Sequence, residues 1–223
     1  MSPALVFDLD GTLVNSLPDL HAAVTEMLRE LHRPELTPAQ VRLMIGDGSR
    51  SLVERALAAT GPASDLDAAY DRFLPIYKAQ STRLSHLYPG VADTLAQLKA
   101  AGARLGICTN KPQTVTVAVL ESFGIAPCFD AVVCGDVVPF RKPDPRHLLA
   151  TIEQLHATPP DAVMIGDNEN DYAAARGASV PVILMRYGYL RVPPETLSPD
   201  AWLDRFADIP QTVANRPRGR RSN

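Results

Sequence analysis

Five short runs of apolar, β-favouring residues constrain the fold of this 223-residue chain more than any other feature. Continuous apolar strands, as opposed to alternating ones, are typical of a parallel sheet that is covered on both faces. Helical periodicity fills the intervals from the second run onward, which predicts right-handed βαβ units and a doubly wound α/β fold. The predicted strands are 4–7, 104–108, 131–134, 162–165 and 180–185, and the predicted helices between them are 112–123, 145–155 and 170–176.

The interval between the first two predicted strands is far longer than an ordinary crossover connection. Apolar residues at helical spacing recur throughout it, beginning just after Ser16. We therefore expect a core domain made of residues 1–15 and 86–213, with an all-helical cap domain inserted at 16–85. Residues 214–223 are rich in arginine, and we expect them to form a disordered basic tail.

The charge distribution restricts the classes of partner. Four of the 22 Lys and Arg residues lie in the last ten positions, whereas all 25 Asp and Glu residues precede them, which leaves a net charge of −7 over residues 1–213. A region with this net negative charge does not favour binding to nucleic acid. No apolar run is long enough to cross a membrane, the N-terminus lacks a secretion signal, and three cysteines without a Cys-x-x-Cys pair suit a reducing compartment. We expect a cytoplasmic monomer or homodimer that acts on a small metabolite.

Polar residues gather where the predicted strands end and in the loops that follow. Because ligands bind beyond the carboxyl ends of parallel strands, these residues are the candidates for a functional site. The four clusters are Asp8-Leu9-Asp10-Gly11-Thr12, Thr109-Asn110, Arg141-Lys142-Pro143 and Gly166-Asp167-Asn168-Glu169-Asn170-Asp171.

The first and last clusters each carry a pair of aspartates. If adjacent strands bring them together, several carboxylates share one small site, and their mutual repulsion calls for a hard cation. Mg2+ suits such a set, since its ligands are oxygens and no His or Cys lies nearby to favour zinc. A phosphate dianion would then need further donors: the Lys142 ammonium, the Thr109 hydroxyl, and backbone N–H groups of 9–11 and of the Asn110 loop.

Taken together, the four clusters resemble the haloacid-dehalogenase-like hydrolase superfamily. Its members carry Asp-x-Asp-Gly-Thr after the first strand, Thr or Ser after the second, a Lys further on, and a Gly-Asp-x-x-x-Asp motif. The similarity spans residues 5–185. Segments 6–16 and 141–145 look like the phosphoglycolate phosphatase group within that superfamily. The resemblance implies a Rossmann-like core with a helical cap.

The resemblance also implies a role for each site residue. Asp8 would be the nucleophile that forms an aspartyl-phosphate, and Asp10 would protonate the leaving oxygen and then activate water. Asp8, the backbone carbonyl of Asp10 and Asp167 would bind Mg2+. Asp171 would contact the metal through a water molecule or would lie next to its direct ligands without touching the ion. Alternatively, it would merely complement a helix dipole. Thr109, Asn110 and Lys142 would bind the phosphate.

One loop of the predicted cap also carries candidate binding residues. Gly46 and Gly48 permit close backbone approach, and Arg50 could pair with a substrate carboxylate. The loop resembles the Gly-x-Gly segment of phosphoglycolate phosphatase caps. The alternative interpretation is a turn before a helix, with Arg50 in solvent.

These residues predict a Mg2+-dependent phosphatase, with 2-phosphoglycolate as the leading substrate. A phosphatase of sugar 6-phosphates or other small phosphoesters, a phosphohexose mutase, and a non-enzymatic receiver-like phospho-switch remain as alternatives. Thr12 argues against the mutase, because those mutases commonly carry a bulkier apolar residue there. The long insert argues against the receiver. A dehalogenase has no use for the second acid, Asp10.

Overall fold

A computed structural model describes residues 3–216, and its centre is a six-stranded parallel sheet. The strands are β1 (Ala4–Phe7), β2 (Val14–Asn15), β3 (His86–Leu87), β4 (Arg104–Thr109), β5 (Ala131–Cys134), β6 (Ala162–Gly166), β7 (Val182–Met185) and β8 (Ala201–Leu203). Their order across the sheet is β5-β4-β1-β6-β7-β8, while β2 and β3 form a separate antiparallel pair. The predicted doubly wound α/β fold is confirmed.

Helices cover both faces of this sheet. The helices of the described range are α1 (Leu17–Glu30), α2 (Pro38–Arg42), α3 (Ser49–Thr60), α4 (Leu66–Gln80), α5 (Val91–Ala100), α6 (Gln113–Ser122), α7 (Pro145–Gln154), α8 (Glu169–Gly177) and α9 (Ile209–Ala214). In β1, Leu5 and Phe7 join one apolar cluster with α5 and α6, whereas Ala4 and Val6 join a second cluster with α7 and α8. Because successive side chains of a strand point to opposite faces, a wholly apolar strand is buried on both sides.

The position of β1 decides where the site forms. It pairs in parallel with β4 on one side and with β6 on the other, with Phe7 level with both Ile107 and Ile165. The segments that follow these three strands therefore meet at one edge of the sheet, although they lie far apart along the chain.

The helical insert consists of α1 to α4 and enters and leaves the core through the β2–β3 pair. Asp19, in the first turn of α1, is fully buried and accepts backbone N–H bonds from Leu84 (2.9 Å) and Ser85 (2.8 Å). The Asp19 carboxylate thus links the segment that leads from the core into the insert with the segment that leads back to the core. We retain the cap and core boundaries given above as a proposal.

Some features of the fold differ from the sequence pattern or go beyond it. The pattern did not indicate β8 or α9. His147 lies on a helix but is fully buried beneath the sheet, where its Nε2 contacts the Val133 carbonyl at 3.3 Å. Within residues 3–216 no helix has the length and hydropathy of a membrane span. Most of the predicted basic tail, 217–223, lies outside the described residues.

Candidate active site

Three buried aspartates converge where β1 and β6 end. Asp8 follows β1, Asp167 follows β6, and Asp171 lies in the first turn of α8. One carboxylate oxygen from each lies within 4.8 Å of the other two. The predicted gathering of carboxylates at one edge of the sheet is thus present in the structure.

Lys142 lies among these carboxylates, with only 2% of its side chain exposed. Its Nζ is 2.7 Å from Asp171 Oδ1 and 2.8 Å from Asp8 Oδ1. Burial opposes the charge on this ammonium, but the two carboxylates outweigh burial and raise the pKa of Lys142. The lysine is therefore a permanent cation beside the proposed nucleophile.

Asp167 and Asp171 are held in place by bonds to both of their oxygens. Asp171 Oδ2 accepts the backbone N–H of Asp167 (3.0 Å) and Asn168 (3.3 Å), which completes a capping box at the start of α8. Asp167 accepts the Thr12 hydroxyl at 2.9 Å and the Tyr189 N–H at 2.6 Å. Asp171 therefore both caps its helix and orients Lys142.

Gly11 makes the close packing around Asp167 feasible. Its φ is +90°, and a Cβ there would lie 2.4 Å from Asp167 Oδ2. A glycine is required both by the left-handed backbone and by the approach of the carboxylate.

The carboxylates repel one another in the absence of a cation beyond the lysines. Burial, opposed by Lys142 and reinforced by Asp171 and Asp10, raises the pKa of Asp8 to about 7. Burial and the charges of Asp171 and Asp8 likewise raise the pKa of Asp167 well above its ordinary value. Such shifts mark a cluster with an excess of negative charge.

The donor set fits a hard divalent cation. Asp8, Asp10, Asp167 and Asp171 face two buried ammonium groups, Lys142 and Lys111, which leaves two negative charges uncompensated. A divalent ion carries the matching charge, and the available ligand atoms are carboxylate and carbonyl oxygens. These residues are therefore consistent with a metal site.

Lys111 is the main component of the site that the sequence pattern did not indicate. It follows Asn110 after β4, is almost completely buried, and its Nζ lies 2.8 and 3.1 Å from the two oxygens of Asp10. It also donates to the hydroxyl of Tyr77, on α4. Burial opposes its charge, but Asp10 and Tyr77 raise its pKa. Its place directly after the Thr109-Asn110 cluster was the one available signal.

Thr109 and the turn after β1 present free hydrogen-bond donors. The Thr109 hydroxyl oxygen accepts the Lys111 N–H at 3.3 Å, and its hydrogen has no acceptor among residues 3–216. The backbone N–H groups of Leu9 and Asp10 likewise lack an acceptor within that range. The Gly11 N–H, in contrast, donates to the Val14 carbonyl at 2.9 Å. Of the turn predicted to donate to phosphate, two N–H groups are therefore free and the third is not.

The Asn110 side chain joins the cap loop to the Lys142 segment. Its Nδ2 donates to the carbonyls of Gly46 (2.9 Å) and Lys142 (2.8 Å), and its Oδ1 accepts the Lys142 N–H at 2.9 Å. Gly48, with φ of +91°, approaches the Asn110 carbonyl so closely that a Cβ would lie 2.9 Å from it. In this structure the amide positions other residues; its predicted contact with phosphate stays a prediction.

Comparison with known proteins now decides the family. The family model for haloacid dehalogenase-like hydrolases matches residues 5–185. A phosphoglycolate phosphatase of Caulobacter vibrioides is 41% identical over 93% of this chain and 89% of its own, and one of Rhodospirillum rubrum is 43% identical over 94% and 90%. A crystal structure of a predicted phosphoglycolate phosphatase from Haemophilus somnus 129PT is 33% identical, with a TM-score of 0.89 over 95% of this chain and 98% of its own.

The chain belongs to the haloacid dehalogenase-like hydrolase family. Asp8, Thr109, Lys142 and Asp167 all lie within the residues that the family model matches, and the role of each stays a prediction.

In this hydrolase the cap loop is bound to the core through Asp47. Its carboxylate accepts bonds from Arg191 and, at 2.7 Å, from Asn170 Nδ2, while Arg191 also pairs with Glu169. Burial favours the neutral acid, but Arg191, Asn170 and Arg55 outweigh it and lower the pKa of Asp47 to about 2. We call Asp47, Asn170, Glu169 and Arg191 the latch.

Arg50, which the sequence analysis assigned to a substrate carboxylate, pairs with Asp67 in this structure. Its side chain is 41% exposed, and its guanidinium lies 5.7 Å from the centre of the Tyr70 ring. It lines a groove outside the carboxylate cluster, so its role in binding stays a prediction.

Two neighbouring spaces lie between cap and core. The inner cavity, about 30 Å³, is bordered by Asp8, Asp10, Tyr77, Thr109 and Lys111, together with apolar and glycine residues of the cap. The outer groove, about 350 Å³, shares Gly48, Ser49, Asn110 and Pro112 with it and is lined further by Arg50, Lys78 and Arg141. Three cations therefore border the space next to the inner cavity.

Proposed function

We propose that this hydrolase is a Mg2+-dependent phosphatase whose substrate is 2-phosphoglycolate. The observation that carries the proposal is the placement of Lys142 against Asp8 beside two further buried carboxylates. The relatives that match nine-tenths of the chain at about 40% identity bear the name of this activity, which supports the substrate.

Asp8 is the proposed nucleophile. One of its oxygens attacks phosphorus, so that an Asp8–phosphorus bond forms as the bond from phosphorus to the glycolate oxygen breaks. Lys142 reduces the repulsion between the two anions, and the free donors of Thr109, Leu9 and Asp10 face the oxygens of the phosphoryl group. Mg2+, held by Asp8, Asp167 and the Asp10 carbonyl, would neutralise charge on the phosphoryl group when bound.

Asp10 is the proposed acid and base. It gives a proton to the departing glycolate oxygen and then takes one from the water that hydrolyses the aspartyl-phosphate. The balance is one water consumed, with glycolate and phosphate released. Lys111 holds both oxygens of Asp10 and so fixes the direction of this carboxylate.

Thr12 favours hydrolysis over the mutase reaction. Its buried hydroxyl donates to Asp167 Oδ1 at 2.9 Å, at a position where phosphohexose mutases commonly carry a bulkier apolar residue. A phosphatase of sugar 6-phosphates uses the same machinery and differs only in what the cap accepts.

Phosphate release from a panel of esters tests this function. The panel contains 2-phosphoglycolate, glucose 6-phosphate and fructose 6-phosphate, each with Mg2+ and with EDTA. We expect Mg2+-dependent release, with the highest kcat/KM for 2-phosphoglycolate. A preference for the sugars would overturn the substrate, and conversion of sugar phosphates without free phosphate would reveal a mutase.

Two variants test the assigned residues. Asp8→Asn removes the nucleophile, and we expect turnover to fall by on the order of 10⁴-fold or more. Asp10→Asn removes the acid while leaving the cavity the same size, so that binding persists and kcat falls about 10²- to 10⁴-fold. Full activity in either variant would contradict the assignment.

A further inference from the structure

The proposed substrate has two anionic ends, and the site described so far accounts for one of them. The phosphoryl end faces Asp8, Lys142 and Thr109. The carboxylate end is attached through one methylene to the ester oxygen that Asp10 protonates. A buried carboxylate requires a cation or several hydrogen-bond donors, because an unpaired charge in a cavity is costly.

Lys111 is placed to meet that need. Among the described residues that border the inner cavity it is the one cation, since Arg50 lies in the outer groove in its pair with Asp67. Its Nζ is 2.8 Å from Asp10 Oδ1. When Asp10 contacts the ester oxygen of the substrate, Lys111 therefore lies next to the methylene and carboxylate groups attached to that oxygen.

Tyr77 supplies a second donor at the same place. Its hydroxyl oxygen accepts a bond from Lys111, and its hydrogen has no acceptor within residues 3–216, although the side chain is 1% exposed and borders the cavity. Because a carboxylate has two oxygens, it can accept from the lysine and the tyrosine together. Tyr77 lies on the cap and Lys111 on the core, so the pair forms where the two meet.

We propose that Lys111 and Tyr77 bind the carboxylate of the substrate and thereby select phosphoesters that bear an acid group next to the ester carbon. This inference rests on the proposed function. In a sugar 6-phosphate, neutral hydroxyls would face the buried ammonium, and a site built around a charged bond discriminates against a ligand that lacks the charge.

The test compares 2-phosphoglycolate with ethyl phosphate, in which a methyl group replaces the carboxylate. The variants are Lys111→Met, Lys111→Arg and Tyr77→Phe, and Lys99→Met, a lysine replaced on the surface of α5, is the matched control. Circular dichroism establishes that each variant is folded. The quantity of interest is the ratio of kcat/KM for the two esters.

We expect the wild type to prefer 2-phosphoglycolate. Lys111→Met should lower the ratio about 100-fold, mainly through KM for the acid ester, as loss of a charged hydrogen bond predicts. Tyr77→Phe should lower it about 10-fold, and Lys111→Arg, which keeps the charge, should retain most of it. The Lys99→Met ratio should equal that of the wild type.

Other outcomes separate this inference from the proposed function. If Lys111→Met reduces kcat/KM equally for both esters, the lysine only positions Asp10, and its role in recognition is overturned. The same holds if the wild type hydrolyses both esters equally well. If the wild type releases no phosphate from either ester with Mg2+, the proposed function itself fails, and the carboxylate site falls with it.

Discussion

Lys142 Nζ lies 2.7 Å from Asp171 Oδ1, and both side chains are almost completely inaccessible to water. Removal of one partner from such a pair leaves an uncompensated buried charge. We expect Lys142→Met to lower the free energy of unfolding by about 3 kcal/mol in EDTA, measured by urea denaturation. Added Mg2+ should restore part of this loss, since it supplies positive charge to the same carboxylates.

Lys142→Met should also abolish most phosphatase activity, because Asp8 loses the cation beside it. The control is Lys99→Met, which removes a partly exposed lysine paired with Asp130. An unfolding free energy equal to that of the wild type, with Mg2+ absent, would show that the pair contributes nothing to stability.

Asp19 should be a major determinant of the junction between cap and core. Asp19→Ala leaves the N–H groups of Leu84 and Ser85 without their acceptor in a buried place. We expect a loss of about 2 kcal/mol in the free energy of unfolding, and faster hydrogen exchange at these two amides. Asp93→Ala is the matched control, because Asp93 also lies in the first turn of a helix but is exposed. Equal losses of unfolding free energy in both variants would show that Asp19 contributes only its favourable interaction with the helix dipole.

Breaking the latch should weaken substrate binding. The ion pair of Asp47 with Arg191 is largely buried, and the lowered pKa of Asp47 means that its charge stabilises the folded protein, so we expect a measurable loss of stability as well. Asp47→Asn should raise KM about 5-fold, since about 1 kcal/mol of closed-cap stabilisation is lost. Steady-state kinetics on 2-phosphoglycolate measures the change. Asp71→Asn, on the exposed side of α4, is the control; the idea fails if the two variants behave alike.

His147 should destabilise the protein in mild acid. Burial, aided by the charge of Lys142, lowers the pKa of His147 to about 4, and its Nδ1 has no hydrogen-bond partner among residues 3–216. His147 binds a proton at a higher pH in the unfolded state than in the folded state. It therefore lowers the free energy of unfolding as the pH falls from 6.5 towards 4, and it has no effect above 6.5. The full change corresponds to roughly 3 kcal/mol.

His147→Gln removes the titrating group and retains a donor for the Val133 carbonyl. Urea denaturation between pH 7 and pH 4.5 should therefore show a flatter decline in the variant than in the wild type. His86→Gln, at an exposed position, should keep the wild-type slope. A wild-type slope in His147→Gln as well would assign the acid sensitivity to the carboxylates alone.

The sequence indicated much of the core and of the catalytic set because these depend on local patterns. The runs 4–7 and 131–134 coincide with β1 and β5, since wholly apolar β-favouring segments have few other stable conformations. Asp8 and Asp167 directly follow strands and Thr109 is the last residue of β4, so predicting the strands also predicted which edge of the sheet these groups would share. Family resemblance then implied their chemistry.

Only the tertiary structure decided which distant residues pair. The contact of Lys111 with Asp10 joins positions 101 residues apart, and that of Asp19 with Ser85 joins positions 66 apart. Before folding, either lysine after β4 or β5 could serve the carboxylates, and Asp19 looks like an ordinary first-turn acid. A buried charge is costly unless it is paired, so each of these charged groups requires a specific partner in the folded protein. Which groups become buried depends on how the whole molecule packs, and local sequence periodicity does not reveal this.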